Sequence, residues 1–173
     1  GQRFHFFERD CTIQRRHQKI FEESPSPILS TELRDKITTA ALKIAEAANY
    51  KNAGTVEFLV DNNSFYFMEL NTRLQVEHTV TEEVCGVDFI KLQIQVALGE
   101  KLRLQQSDIQ SHGHALEVRI YAEDPARDFL PSTGEVLALQ FPHGPGRRFD
   151  FGYSVGHPIT PFYDPMIGKV VTW

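Results

Sequence analysis

Apolar residues recur at helical spacing in the first part of the chain, and the longest such run covers residues 31–49. Ser30 or Thr31 can cap its start, because a hydroxyl oxygen accepts a hydrogen bond from a backbone N–H of the first turn. The run therefore predicts an amphipathic helix. Its apolar stripe is expected to consist of Leu33, Ile37, Ala41, Ile44 and Ala48.

Two shorter helices are predicted further along the chain. The first covers 81–84 and stops at Gly86, because glycine readily takes the left-handed conformation that ends a helix. The second begins at Asp88, whose carboxylate can cap it, and ends before Gly99. Its inward face is expected to hold Ile90, Ile94, Ala97 and Leu98.

Alternating residues predict a β-hairpin, with strands at 55–60 and 65–70 around the turn cluster 61–64. Residues 3–22 and 71–78 are also expected to be extended. Beyond a polar connection at 100–112, glycine and proline separate short β segments, predicted at 114–122, 134–141, 147–153 and 166–173.

This order of elements predicts an α+β fold with a boundary near residue 110, which divides the chain into domains 1–110 and 111–173. Composition agrees with a folded protein, since 41% of the 173 residues are hydrophobic. The net charge of −5 argues against a dedicated nucleic-acid binder. Two cysteines are too few for a disulfide framework, and no apolar run approaches the roughly 20 residues that span a bilayer.

The hairpin carries two glutamates, and its register decides whether their carboxylates lie opposite each other. A three-residue loop pairs Glu57 with Glu69, with Asn71 on the same face, whereas a two-residue turn at 62–63 puts residue 57 opposite 68. Two carboxylates that close would push one to protonate, and a divalent cation such as Mg²⁺ or Mn²⁺ removes this conflict. On that register, Leu59 and Phe67 would form an apolar floor beside the charges. A solvated face that bears two glutamates remains the alternative.

The segment after the hairpin favours a functional site. If it is extended, Asn71, Arg73, Gln75 and Glu77 share one face. Arginine offers a bidentate fork to a small planar anion, glutamine adds donors, and a glutamate beside them could accept a proton. The run 15–19 is either a solvated basic strand or a contributor to this anion site, with Arg15, His17 and Lys19 on one side.

Other motifs are weaker. Arg119 lies mid-strand, where pairing with Glu117 would be a purely structural role. No GxGxxG or P-loop pattern occurs, and His112 and His114 have no second pair at metal-ligand spacing, so a Rossmann, Walker or zinc site is not supported.

Four motifs occur in order along the chain: 8–19 (ERDCTIQRRHQK), 68–78 (MELNTRLQVEH), 113–125 (GHALEVRIYAEDP) and 163–169 (YDPMIGK). Together they resemble the biotin carboxylase family of ATP-grasp ligases, and the similarity extends over essentially the whole chain. The second part, with the third and fourth motifs, resembles the family's C-terminal domain. Residues 144–148 and 161–166 most resemble acyl-CoA carboxylase α subunits, particularly the methylcrotonyl-CoA type.

The resemblance implies ATP-dependent carboxylation of biotin by bicarbonate, through carboxyphosphate. Glu57 and Glu69 would hold the metal ions that bridge the ATP phosphates, with Asn71 nearby. Glu77 would deprotonate bicarbonate, and Arg119 would stabilise the biotin enolate. The residues expected to bind substrate are Arg73, Gln75 and the backbone of Val76 for bicarbonate, with Gln14, His17 and Lys19 beside ATP and bicarbonate.

The resemblance also implies partners: a biotin carrier domain, a carboxyltransferase subunit and further copies of an oligomeric parent, in the cytoplasm or, in a eukaryote, the mitochondrial matrix. Thr79 stands where the family usually has proline, which could loosen Glu77. Both ends look cut, so the 173 residues are expected to be an inactive piece of a longer enzyme. Another ATP-grasp ligase or a non-enzymatic binding module are the alternatives.

Overall fold

The computed structural model describes residues 2–173. Its helices are α1 (Thr31–Ala47), α2 (His78–Cys85) and α3 (Phe89–Ala97), with short 3₁₀ turns at Gln106–Asp108 and Pro125–Arg127. Its strands are β1 (Gln14–Arg15), β2 (Gln18–Lys19), β3 (Phe21–Ser24), β4 (Thr55–Asp61), β5 (Ser64–Asn71), β6 (Ala115–Tyr121), β7 (Glu123–Asp124), β8 (Leu130–Pro131), β9 (Gly134–Glu135), β10 (Arg147–Phe151), β11 (Pro158–Ile159) and β12 (Met166–Thr172). The predicted α+β class is confirmed.

The described residues form two compact units. The first takes in the chain up to Asp10 and Glu23–Ala115, and the second takes in Cys11–Glu22 and Leu116–Trp173. The first unit thus holds the three helices and the β4–β5 hairpin, and the second holds most of the short strands. The domain boundary at residue 110 stays a prediction. No described helix combines the length and the apolar character that crossing a membrane requires.

Helix α1 begins where the sequence predicts and ends within two residues of the expected position. The Leu33 backbone N–H donates to the Ser30 Oγ at 3.2 Å, so this serine is the N-cap. Leu33 and Ile37 are buried, whereas Ala48 lies beyond the helix and is exposed. The cap and two buried side chains fix this helix in the first unit.

Replacing Ser30 by alanine should lower the free energy of unfolding by about 0.5–2 kcal/mol, because a first-turn N–H loses its acceptor. Urea unfolding of the 173-residue chain measures this loss, and Thr31→Ala, which leaves the cap in place, is the matched control. An equal effect of both substitutions would contradict the capping role.

Strands β4 and β5 form an antiparallel hairpin in which Asp61 pairs with Ser64 and Glu57 with Glu69. Of the two loops that the sequence left open, the two-residue turn forms, because only Asn62 and Asn63 join the strands. The expected carboxylate pair nevertheless forms, since a β-bulge at Met68 shifts the register by one residue between Phe58 and Glu57. The bulge therefore restores the pairing that the short turn alone would remove.

The bulge also changes which residues near the hairpin turn lie on the same face as Glu69. Phe58 pairs with Phe67 and makes edge-to-face contacts with Phe65 and Phe67, at centroid distances of 5.4 and 6.4 Å. Since Phe58 and Glu57 point to opposite faces of β4, Phe67 does not share the face of Glu69. The predicted apolar floor of Leu59 and Phe67 is wrong, and Tyr66, the partner of Leu59, takes the place of Phe67.

Residues 72–77 do not form a strand, although an extended run was predicted at 71–78. The strand ends at Asn71, and a turn at 76–77 leads directly into α2, which begins three residues earlier than expected. Gly86 ends α2 in the left-handed conformation, with φ of 64°, as predicted. The turn ends any strand alternation before Glu77.

Helix α3 is capped by Asp88, whose carboxylate accepts from the Lys91 backbone N–H at 2.8 Å. Its predicted inward face is wrong, since Ile90, Ile94 and Leu98 are 49%, 56% and 72% exposed. The half-buried side chains instead include Phe89, whose ring makes an edge contact with Phe6.

A four-stranded sheet, most of whose residues belong to the second unit, has the strand order β10, β12, β6, β3, with β10–β12 and β12–β6 antiparallel. The predicted strands at 114–122, 147–153 and 166–173 are confirmed with trimmed ends, but the one at 134–141 stops at Glu135. Phe141, beyond that stop, instead contacts Phe149 and Phe151 at centroid distances of 4.8 and 4.7 Å. The predicted run at 3–22 is mostly irregular, with a hairpin of β1 and β2.

Candidate functional site

The first unit places Glu57 and Glu69 directly opposite each other on the β4–β5 hairpin. The Asn71 Nδ2 donates to the Oε1 of Glu69 at 2.8 Å and to the Oε1 of Glu57 at 3.2 Å. The Gln75 Nε2 donates to the same Glu57 oxygen at 2.8 Å. Three of the predicted metal-site residues and one predicted bicarbonate residue therefore form a single hydrogen-bonded cluster.

The donor chemistry of this cluster fits a hard divalent cation. Carboxylate oxygens are preferred ligands of Mg²⁺ and Mn²⁺, which usually complete their shell with water and substrate phosphates. The described residues contain no group of three or more His, Cys, Asp or Glu that could hold a metal ion. Glu57 and Glu69 would thus supply two ligands, and Asn71 could add its Oδ1 only after its amide rotates.

The residues that follow the hairpin differ sharply in burial. Gln75 is 5% exposed and Glu77 is 2% exposed, whereas Arg73 and Val76 face solvent. Arg73 donates from Nη1 to the Leu74 carbonyl oxygen at 3.2 Å. The four polar side chains predicted to share one face therefore differ: Asn71 and Gln75 both reach the Oε1 of Glu57, whereas Arg73 is exposed and Glu77 follows a turn.

Glu77 occupies the N-cap position of α2, and its side chain does not cap the helix. The positive end of a helix dipole favours a carboxylate there. Thr79 lies in the first turn of the same helix and is fully buried. Proline is also accepted in a first turn, so threonine at this position is compatible with the same backbone.

Arg9 is a residue of this cluster that the sequence did not single out. Its guanidinium donates to the Gln75 Oε1 at 2.6 Å, and to the hydroxyl oxygens of Thr55 and Thr81 at 3.2 Å each. Its partners lie at least 46 positions away in sequence. The only sequence signal was its membership of the motif 8–19.

The second unit holds Gln14, His17 and Lys19 on the β1–β2 hairpin. Gln14 pairs with Lys19, and Arg16 and His17 form the two-residue turn with φ of 52° and 63°. Positive φ at both central positions is the geometry of a type I′ turn. The predicted strand alternation of residues 15, 17 and 19 is wrong, because His17 occupies the turn itself.

The arginines of this hairpin are paired within their own unit. Arg15 forms an ion pair with Glu123, and its guanidinium carbon lies 4.1 Å from the Phe129 ring centroid. Arg16 forms an exposed ion pair with Asp128 at 2.6 Å. The positive charges of both arginines are thus balanced by carboxylates of the same unit, and a contribution of this hairpin to an anion site stays a prediction.

Arg119 lies on β6, directly opposite Lys169 of β12, which in turn faces Asp150 of β10. The Lys169 ammonium lies 3.5 Å from a Glu117 oxygen and 3.7 Å from an Asp150 oxygen. Glu117 and Lys169 are buried, so this ion pair fixes the strand that carries Arg119.

The two cysteines are free thiols, and Cys85 lies in the first unit. Burial, together with the nearby charge of Glu8, raises the pKa of the Cys85 thiol to about 11. At mildly alkaline pH the reactive thiolate is therefore about a hundredfold scarcer than for an ordinary thiol.

We expect iodoacetamide to alkylate Cys85 about a hundredfold more slowly in the folded chain than in urea. A Cys11→Ser variant isolates the signal, and mass spectrometry follows the modification with time. Equal rates in the folded and unfolded chain would show that the thiol is accessible and ionised normally.

Two family models match the chain. The model described as carbamoyl-phosphate synthase L chain, ATP binding domain, matches residues 1–105. The model described as biotin carboxylase C-terminal domain matches residues 117–173.

Curated relatives agree with these matches. Biotin carboxylase 2 of Bacillus subtilis is 53% identical over 172 residues, which are 99% of this chain and 38% of that protein. The mitochondrial methylcrotonoyl-CoA carboxylase subunit alpha of Mus musculus is 49% identical over 175 residues, or 100% of this chain and 24% of that protein. The chain thus spans well under half the length of these relatives. Similar identities to different carboxylases leave the methylcrotonyl-CoA assignment a prediction.

A solved structure shows the same fold. The biotin carboxylase domain dimer of 2-oxoglutarate carboxylase from Hydrogenobacter thermophilus, in complex with MgADP, ADP and bicarbonate, is 46% identical with a TM-score of 0.94. The match covers 98% of this chain and 38% of that one. With a family model over residues 1–105, the chain belongs to the family of the carbamoyl-phosphate synthase L chain ATP-binding domain, in its biotin carboxylase branch.

Proposed function

We propose that these residues form part of a biotin carboxylase, which uses ATP and bicarbonate to carboxylate biotin on a carrier domain. The observation that carries the proposal is the cluster in which Asn71 donates to the opposed carboxylates of Glu57 and Glu69, and Gln75 donates to that of Glu57. A like-charge pair held in this way suits metal-bound phosphates, and the similar domain from Hydrogenobacter thermophilus binds MgADP and bicarbonate. The complete activity belongs to a polypeptide of the relatives' length.

Each role proposed for a residue follows from its chemistry. Glu57 and Glu69 would hold Mg²⁺ or Mn²⁺, which would neutralise charge on the ATP phosphates. Arg73, Gln75 and the backbone N–H of Val76 donate to bicarbonate, an anion that a bidentate guanidinium suits.

Proton transfer and charge stabilisation fall to other side chains. Glu77 accepts the bicarbonate proton, and Arg119 stabilises the enolate that biotin forms when it loses its N1′ proton. Gln14, His17 and Lys19 contact ATP and bicarbonate, with Lys19 as a compact charge for an oxyanion. Support for these roles is the family resemblance, together with the exposure of Arg73 and the burial of Glu77.

The parent protein is proposed to be oligomeric and to work with a carboxyltransferase subunit. Its proposed compartment is the cytoplasm, or the mitochondrial matrix in a eukaryote. The division into an ATP-grasp part, 1–110, and part of a biotin carboxylase C-terminal domain, 111–173, belongs to the same proposal.

Bicarbonate-dependent ATP cleavage with free biotin as the acceptor tests the function in a full-length carboxylase that carries this chain. Carboxybiotin should form only with ATP, bicarbonate and Mg²⁺ together. ATP cleavage that needs an amine or amino acid instead would favour a different ATP-grasp ligase. Binding of MgATP without any turnover would favour a binding module.

A further inference from the structure

We propose that Arg9 is a positioning residue that fixes which end of the Gln75 amide faces the site. This inference rests on the proposed function, because the site in question is the one proposed for bicarbonate. It assigns a role to a residue that does not itself bind any substrate in that proposal.

Arg9 joins three parts of the first unit through one guanidinium. Its Nη2 donates to the Gln75 Oε1 at 2.6 Å and to the Thr55 Oγ1 at 3.2 Å, at the start of β4. Its Nη1 donates to the Thr81 Oγ1 at 3.2 Å, within α2. The side chain of Gln75 therefore lies between an arginine anchored to two elements and the carboxylate of Glu57.

The two neighbours of the Gln75 amide have opposite hydrogen-bonding capacities. A guanidinium has only donors, and an ionised carboxylate has only acceptors. The amide satisfies both with Oε1 towards Arg9 and Nε2 towards Glu57, at 2.6 and 2.8 Å. The reverse orientation would face donor with donor and acceptor with acceptor in a side chain that is only 5% exposed.

This fixed orientation determines whether Gln75 presents its N–H donors or its carbonyl oxygen to the site. With its carbonyl oxygen held by Arg9, the amide offers N–H donors to the carboxylate side of the cluster, where an anion needs them. Without Arg9, only the hydrogen bond to Glu57 orients the amide, so its N–H donors are held less firmly towards the anion. Arg9 thereby acts on bicarbonate binding through Gln75.

The first test compares Arg9→Met with Arg9→Lys in a full-length carboxylase that carries this chain. Arg9→Met should raise the KM for bicarbonate about tenfold, because it removes every donor, while the KM for MgATP changes less than about twofold. Arg9→Lys keeps a charge and donors and should raise the KM for bicarbonate only about threefold. Arg3→Met, which removes an arginine paired with Glu46 instead, is the matched control.

A double-mutant cycle decides whether Arg9 acts through Gln75. In a Gln75→Leu background, Arg9→Met and Arg9→Lys should change the KM for bicarbonate less than about twofold, since contacting residues are not additive. An undiminished effect in that background overturns the proposal, as does an equal rise in both KM values. If Arg9→Met does not fold, the Arg9→Lys cycle alone gives the decision.

A readout without turnover separates this inference from the proposed function. The side-chain N–H signals of Gln75 in a ¹⁵N spectrum are identified by their loss in Gln75→Leu. Hydrogen exchange of these protons should be at least about tenfold faster in Arg9→Lys than in the unmodified protein. Unchanged exchange overturns the role of Arg9, whereas an unmodified protein without bicarbonate-dependent ATP cleavage overturns the proposed function only.

Discussion

Glu77→Gln should lower the rate of bicarbonate-dependent ATP cleavage by about 10²- to 10⁴-fold, the usual contribution of a positioned general base. Glutamine has nearly the same shape as glutamate but does not accept a proton at neutral pH. Because Glu77 is only 2% exposed, an isosteric replacement is needed to keep the start of α2 intact. Steady-state kinetics in the full-length carboxylase measure the loss.

Glu83→Gln, on the same helix α2, is the matched control and should leave the rate within about twofold. The KM for MgATP should change little in Glu77→Gln, since the proposed role concerns the bicarbonate proton. A large rise in that KM with an unchanged kcat would assign Glu77 to nucleotide binding instead of proton transfer.

Glu57→Gln and Glu69→Gln should each raise the Mg²⁺ concentration needed for half-maximal ATP cleavage by at least about tenfold. A neutral amide oxygen is a weaker ligand for a hard cation than a carboxylate is. Titration of turnover with Mg²⁺ at saturating ATP measures the shift. Asp61→Asn, an exposed carboxylate of the same strand, is the control and should not change the titration.

Although the same two variants should weaken Mg²⁺ binding, each should stabilise the fold when Mg²⁺ is absent. Each removes one of two like charges directly opposite each other, which should raise the free energy of unfolding by up to about 1 kcal/mol. Urea unfolding in the presence of a chelator measures this gain. A loss of stability together with an unchanged Mg²⁺ titration would show that the two glutamates have a structural role and not a metal-binding one.

The sequence predicted that Glu57 and Glu69 could pair, but it did not predict the bulge that makes them do so. Local alternation located both strands and the turn, because each strand repeats every two residues. Nothing in the sequence marks Met68 as a bulge, so the choice between loop lengths was open. Glu57 pairs with Glu69 only because the bulge offsets the register that the two-residue turn sets.

Short segments were the least predictable part. Four alternating polar residues suggested a strand at 71–78, but the chain turns at 76–77 and starts a helix at His78. On α3 the spacing of Ile90, Ile94 and Leu98 correctly indicated a helix, yet this face is exposed in the described chain. Periodicity reports that side chains share a face, and tertiary packing decides which face is buried.

The role proposed for Arg9 lay beyond local patterns altogether. Its partners Thr55, Gln75 and Thr81 are 46, 66 and 72 positions away in sequence. Contacts over such separations depend on how β4 and α2 pack together, which the local pattern of residues does not reveal. Arg15 and Arg16, by contrast, were conspicuous in the sequence as a basic run. Their partners were not, because the carboxylates that balance them lie more than 100 positions away.

The bulge at Met68 has a consequence for comparing homologues. Because Met68 is the unpaired extra residue between the turn and the carboxylates, its deletion leaves Glu57 opposite Glu69 and Phe58 opposite Phe67. We therefore expect one-residue gaps among related sequences to be tolerated at this position. Alignments that place such a gap in the 62–63 turn would assign the aromatic residues between the turn and the bulge, Phe65, Tyr66 and Phe67, to the wrong columns.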